Sequence, residues 1–292
     1  MNALDTQATP TPPVPGAGPR PPARPNASTL RHRAEVPVLV LCSALTIGGA
    51  GVAVVALLGR TDVPEPATIA LVGLAIPLVA AAVAIRVMFW SLLARGVETS
   101  PTQLPELHGM LVTLTDRMGL RRRPRLMVVN GHGLVNAMAA KCTLRRGYVV
   151  LSSDLVDIAY EVGDWDAVRF ALAHELGHIA AGHTALWRLA IRPLPKLIGL
   201  DRWLIRTQEY TADRWAASTC DGPPRSFLAL LVGKRVHRHV DLTAHLATVE
   251  AAQHAGWLRV VNALAGHPVG HRRFHALVEL DRKGWGAHGR MC

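Results

Sequence analysis

Cysteine is sparse in this 292-residue chain, and its four copies (Cys42, Cys142, Cys220, Cys292) are scattered, with no C-x-x-C pair. That spacing suggests neither a disulfide framework nor a thiolate zinc site, so any bound metal must be held by histidines and carboxylates. Charge is also thin: 18% of residues are charged against 50% hydrophobic, with a mean hydropathy of +0.21. This balance rules out a wholly disordered chain and argues against an ordinary cytosolic enzyme; it fits a folded domain with membrane segments. Acidic residues are the scarcer sign, 21 against 32 Lys+Arg, for a net charge of +11. Such a surplus suits an anionic bilayer or a nucleic acid. No aromatic-rich sheet motif or helix-turn-helix signature supports the second, so no nucleic-acid partner is expected.

Eight prolines fall within the first 25 positions. Residues 1–34 therefore read as a disordered tail, too poor in apolar surface to offset the entropy of ordering. Pro37–Gly59 and Pro66–Ile85 follow, 23 and 20 residues without a charge. Each is long enough to cross a hydrocarbon core of about 30 Å, and the short link Arg60–Glu65 makes the pair a helical hairpin over 35–95. Arg20, Arg24, Arg31 and Arg33 precede it, and Arg86 and Arg95 follow it. The positive-inside rule then puts both termini, and the domain beyond, in the cytoplasm. From residue 96 the texture is that of a soluble α+β domain. Helical spacing runs over Gln103–Met118, Asp164–Ala181, Thr207–Thr219, Ser226–Val236, Asp241–Leu264 and Phe274–Leu280. Strand candidates are Arg125–Val129, Met138–Cys142 and Tyr148–Leu151. The basic run Arg121–Arg125 reads as a solvated loop facing lipid headgroups.

The chemistry is concentrated in His174-Glu175-Leu176-Gly177-His178. Positions four apart share one helix face, so both imidazoles can reach one tetrahedral zinc at about 2.0–2.1 Å. Glu175 lies beside the first ligand, where it can take the proton of a water attacking a carbonyl. A third ligand is needed. Ala181 and Thr184 stand where a metzincin would have Gly and His, and His183, nine residues from His174, falls on the opposite helix face. Downstream, Glu209 and Asp213 are themselves four apart. Glu209 can complete a two-histidine, one-glutamate set, and Asp213 can accept the free N–H of a liganding imidazole and fix its tautomer.

These motifs resemble those of the membrane-anchored zinc peptidases of the HtpX and CAAX-prenyl-protease group, within the gluzincins. The resemblance covers about residues 100–280. It rests on A-H-E-L-G-H at 173–178, E-Y-T-A-D at 209–213, Val135-Asn136-Ala137-Met138-Ala139, and His267-Pro268 followed by Arg273. It implies that Asn136 and Ala137 lie on a strand edge that pairs with an extended peptide. It further implies that His267 and Arg273 approach the site and steady the oxyanion. The chain also departs from the group. Five basic residues (Arg188, Arg192, Lys196, Arg202, Arg206) interrupt the stretch between the two zinc motifs, so the further spans usual there are missing. Met138 and Val269 replace the group's aromatic and second proline.

The expected architecture is thus α+β: a zincin-like domain over 96–292, mostly helical with a small sheet, behind a two-helix transmembrane hairpin. The expected function is a membrane-anchored zinc metalloendopeptidase with one Zn2+ per chain. Its partners would be a polypeptide substrate and the lipid bilayer, and by the resemblance its role would be membrane-protein quality control. The rival from another class is a catalytically silent zinc-binding scaffold or sensor, against which the intact Glu175 argues.

Overall fold

The computed structural model describes residues 25–58, 66–134, 136–140, 147–233 and 236–291. Helix α1 (Ala27–Leu30) leads into two long helices, α2 (Glu35–Leu58) and α3 (Pro66–Arg95). The tail expected to run to residue 34 is therefore ordered by residue 27. Leu30 is fully buried, and the His32 backbone N–H donates to the Thr211 hydroxyl at 2.9 Å. Residues 1–24 lie outside the described residues. The two-helix hairpin is met in part: among the described residues one helical stretch, Glu35–Val52, is long and apolar enough to cross a membrane. The link at 60–65 lies outside the described residues.

Strand β1 (Val97–Glu98), helix α4 (Pro105–Arg117) and strands β2 (Arg125–Val129), β3 (Ala137–Ala140) and β4 (Tyr148–Ser152) open the domain. Every residue of Tyr-Val-Val-Leu-Ser in β4 is buried, as befits a strand paired on both sides and covered by helices. It runs parallel to β2 and antiparallel to β3, in the order β1-β2-β4-β3, so among the described residues β1 and β3 form the edges of the sheet. Helix α5 (Ser153–Val162), absent from the sequence expectations, starts directly after β4. Helix α6 (Asp166–Ala180) is buried continuously from Ala167 to Gly177, apart from Arg169, and forms the centre of the domain. Phe170, Leu172 and Leu176 join it to a core shared with Leu107 and Leu114 of α4 and Leu151 of β4.

Two short helices, α7 (Trp187–Ala190) and α8 (Pro193–Leu197), precede α9 (Leu200–Ala217), which packs along α6. Helix α9 begins seven residues before the expected Thr207. Helix α10 (Pro223–Val232) follows. The single helix expected over Asp241–Leu264 is two, α11 (Leu242–Ala252) and α12 (Gly256–Leu264). The break falls where the backbone turns extended at Ala255 ahead of Gly256, a poor helix former. Helix α13 (Gly270–Lys283) closes the domain.

Candidate metal centre

Helices α6 and α9 approach closely because Gly177 has no side chain. A Cβ there would sit 2.8 Å from Cβ of Trp215 and 3.1 Å from the Ala212 carbonyl oxygen. The contact brings Glu209 to the face of α6 that carries His174 and His178, and all three side chains are largely buried. The two Nε2 atoms are 3.2 Å apart. Glu209 Oε2 is 3.4 Å from His174 Nε2, and Oε1 is 3.4 Å from His178 Nε2. Two ligands held at about 2.0–2.1 Å from a common centre at the tetrahedral angle lie about 3.3 Å apart. The imidazole pair matches that figure, each imidazole faces one oxygen of Glu209, and one ligand atom from each of the three residues lies within 4.8 Å of the others, so the donor set can hold one zinc ion.

Behind each imidazole stands a group that fixes its tautomer. His174 Nδ1–H donates to Asp213 Oδ1 at 2.9 Å, which turns its Nε2 lone pair toward the centre. Asp213 is clasped by Arg273, with Nη2 at 2.6 Å from Oδ1 and Nε at 2.9 Å from Oδ2. Arg273 Nη1 also lies 3.3 Å from Glu209 Oε2, and the guanidinium stacks over the Phe227 ring at 4.8 Å. His178 is supported by His183: the two Nδ1 atoms are 2.8 Å apart, and His183 Nε2 reaches Glu35 Oε1 at 3.1 Å. Glu35, the first residue of α2, is fully buried, and Thr211 donates to its Oε2 at 2.7 Å. A residue opening the candidate membrane span is thus wired to a candidate metal ligand through one imidazole.

His183 was expected to point away, because helical periodicity was carried past the end of α6. The helix instead stops in a Schellman turn. Gly182 adopts φ +77°, its N–H donates to the Ile179 carbonyl, and the His183 N–H donates to the His178 carbonyl at 2.8 Å. The chain folds back and lays His183 against His178. Glu35 was also missed. Its one sequence signal is a lone acid next to a long uncharged run. For Gly182 the signal is a glycine just past the last helical residue.

The charges are consistent with this arrangement. Burial raises the pKa of the Glu209 carboxyl, but His174, His178, His267 and Arg273 outweigh it and hold it well below the ordinary carboxylate range. Asp213, penalised by burial, is likewise lowered by Arg273 and His174. Burial opposes a charge on His174, yet Asp213 and Glu209 prevail and lift its pKa to about 9 in the metal-free site. Burial lowers His183 to about 4, so it is neutral and able to accept from His178 while donating to Glu35.

The other expected residues fall as follows. Glu175 is buried on α6 beside His174, and its carboxylate helps Asp213 and Glu209 favour the charge on Arg273 against the cost of burial. His267 is largely exposed, with Nδ1 3.0 Å from Glu209 Oε1. Arg273 is spent largely on Asp213 and Glu209. Asn136 is exposed at the start of edge strand β3; its N–H donates to Ser152 Oγ and its carbonyl accepts from the Ser152 N–H, both at 2.9 Å. Ala137 pairs with Leu151, and β3 lies against α6. Val135 and Cys142 lie outside the described residues.

The family model of Peptidase family M48 matches residues 101–198. No curated protein matches the chain. Among solved structures, the crystal structure of S. mikatae Ste24p is similar at 18% identity and a TM-score of 0.43. The match covers 83% of this chain and 65% of the length of that one.

Proposed function

We propose that this chain, whose residues 101–198 match the model of peptidase family M48, is a membrane-tethered zinc metalloendopeptidase. The observation that carries the reading is the convergence of His174, His178 and Glu209, with the two Nε2 atoms 3.2 Å apart and each 3.4 Å from one oxygen of Glu209, backed on both sides by tautomer-fixing partners. When bound, zinc supplies a Lewis acid that polarises a carbonyl and lowers the pKa of a water. Glu175 takes a proton from the water as its oxygen adds to the peptide carbonyl carbon. It then delivers that proton to the amide nitrogen as the C–N bond breaks and the amine leaves. His267, on the open side of Glu209, donates to the oxygen that gains charge. Arg273 acts through Asp213 and Glu209, holding both as anions. The peptide lies extended along the free edge of β3, taking backbone hydrogen bonds beside Asn136 and Ala137. The position of β3 at the sheet edge, next to the helix bearing both histidines, supports that pairing.

The tether is a hairpin of Glu35–Val52 and a second span, Pro66–Ile85, within α3. The arginines on either side of the pair support a cytoplasmic catalytic domain and cytoplasmic termini. A peptidase held there meets damaged or misassembled membrane proteins first, which suits a quality-control role. Metal analysis of the purified chain, paired with casein cleavage with and without chelator, tests the activity. One zinc per chain and chelator-sensitive cleavage are expected, with Glu175→Gln retaining zinc and losing cleavage. Equal cleavage by Glu175→Gln removes Glu175 from the mechanism. Unchanged half-lives of membrane clients in cells lacking the enzyme would overturn the quality-control role.

A further inference from the structure

Two stretches outside the metal site carry their polarity inside out. Between α7 and the middle of α9, Arg188, Asp201 and Arg206 are buried, while Leu197 (82% exposed), Ile198 (70%) and Trp203 face outward. In α12 the one fully buried side chain is the polar Asn262, whose Oδ1 accepts from the Val269 N–H at 3.2 Å. Trp257 (81% exposed), Val261 and Leu264 stand out from the same helix at the i, i+4, i+7 spacing of a single stripe. A large apolar side chain left in water forgoes about 1.5–3 kcal/mol of burial, so a coherent apolar surface over a polar interior marks a partner.

The stretches form one surface. The Arg206 guanidinium donates to the carbonyls of Asn262 and, at 2.8 Å, Ala263, where α12 ends, and Arg206 lies one helical turn beyond Trp203. The surface also continues that of the candidate span. Thr46 Oγ1 of α2 donates to the Ile191 carbonyl at 3.0 Å, and Gly49 lies against the Leu194 side chain. Thr46 and Gly49 are about 17 and 21 Å along α2 from Glu35 at about 1.5 Å per residue. The segment from α7 to α8 thus lies alongside the span itself, not beyond its end.

We infer that α12 and residues 187–203 form a seat in one leaflet of the bilayer, with α12 lying in the plane of the membrane. This rests on the membrane-tethered reading above. The occupant is lipid. Continuity with the exposed apolar face of α2 argues for acyl chains, and exposed Lys196, next to the exposed Leu197, stands where an anionic headgroup would meet it. Helix α12 ends three residues before His267, which touches Glu209. The seat therefore sets the metal centre at the membrane surface.

The full chain, with its four cysteines changed to alanine and single nitroxide labels introduced at Leu197→Cys, Trp257→Cys, Val52→Cys and Thr113→Cys, is reconstituted into phosphatidylethanolamine vesicles containing a minority of phosphatidylglycerol. Collision with oxygen, which favours lipid, is compared with collision with a water-soluble nickel chelate. Labels at 197, 257 and 52 are expected to favour oxygen, and the label at 113 the chelate. Residue 52 in lipid with 197 or 257 in water overturns the seat and leaves the tether standing; residue 52 in water removes both. The chain with native cysteines provides a second measurement. Dibrominated lipid should quench part of the tryptophan emission, and Trp257→Phe should shrink the quenchable fraction. An unchanged fraction overturns the placement of α12.

Discussion

Replacing His183 with phenylalanine removes both ring nitrogens while keeping a flat side chain in the pocket between His178 and Glu35. The His178 Nδ1–H, now 2.8 Å from a nitrogen, would face carbon inside a buried site. Leaving a buried donor unpaired costs about 1–3 kcal/mol. The cost falls on the tautomer that turns Nε2 of His178 to the metal, so it should appear as a loss of zinc affinity of about 10–100-fold, the usual range for removing such a supporting partner. Glu35 keeps the Thr211 hydroxyl and the guanidinium of Arg31, which limits the damage to folding. Competition with a chromophoric chelator at neutral pH measures the change. His183→Gln, whose amide oxygen can accept the same hydrogen, should recover part of it. A dissociation constant unchanged in a folded His183→Phe protein would refute the argument and make the contact incidental.

Gly177→Ala should force α6 from α9, because its Cβ meets Cβ of Trp215 at 2.8 Å. Overpacking of this kind costs about 1–3 kcal/mol, read as a lower melting temperature together with weaker zinc binding. Asp213→Asn should weaken zinc binding about 10–100-fold; retention of full affinity would show that the charge of the carboxylate behind His174 is not needed. The metal-free protein should also show a pH signature. His174, raised to about 9 by Asp213 and Glu209 against the pull of burial, contributes stability that is complete below its ordinary value near 6.5 and is lost as pH rises through about 9. Melting of chelator-treated protein should therefore fall across that window, while zinc affinity rises as the competing proton leaves. Burial lifts the thiol of Cys220 to about 12. It should resist alkylation in the folded chain and react on unfolding, as mass spectrometry of labelled peptides would show.

Much of the centre was legible in the sequence because its logic is local. Spacing of four residues puts His174 with His178, and Glu209 with Asp213, on common faces wherever the helices lie. Two strands were also close to expectation, since β2 is Arg125–Val129 as read and β4 differs by one residue, whereas β3 is Ala137–Ala140 in place of Met138–Cys142 and β1 was not foreseen. Periodicity failed where helices end. Carried past Ala180 it turned His183 away, and carried through Ala255 it merged α11 with α12. Composition alone extended the disordered tail to residue 34, whereas Leu30 and His32 are held by contacts with α9, nearly 180 residues downstream.

The candidate ligand set, the neighbouring carboxylate and the apolar character of α2 follow from residue types and short spacings, so the sequence by itself pointed to them. Asp213 was already read from its spacing as a partner for a liganding imidazole; tertiary structure decided that the imidazole is that of His174, that Arg273 clasps Asp213, and that His183 with Glu35 stands behind His178. It also decided that the stripe on α12 faces outward over a buried asparagine. These contacts join residues up to 148 positions apart, and a distance between side chains on different elements is set by how the helices pack, in particular by the close approach that Gly177 allows.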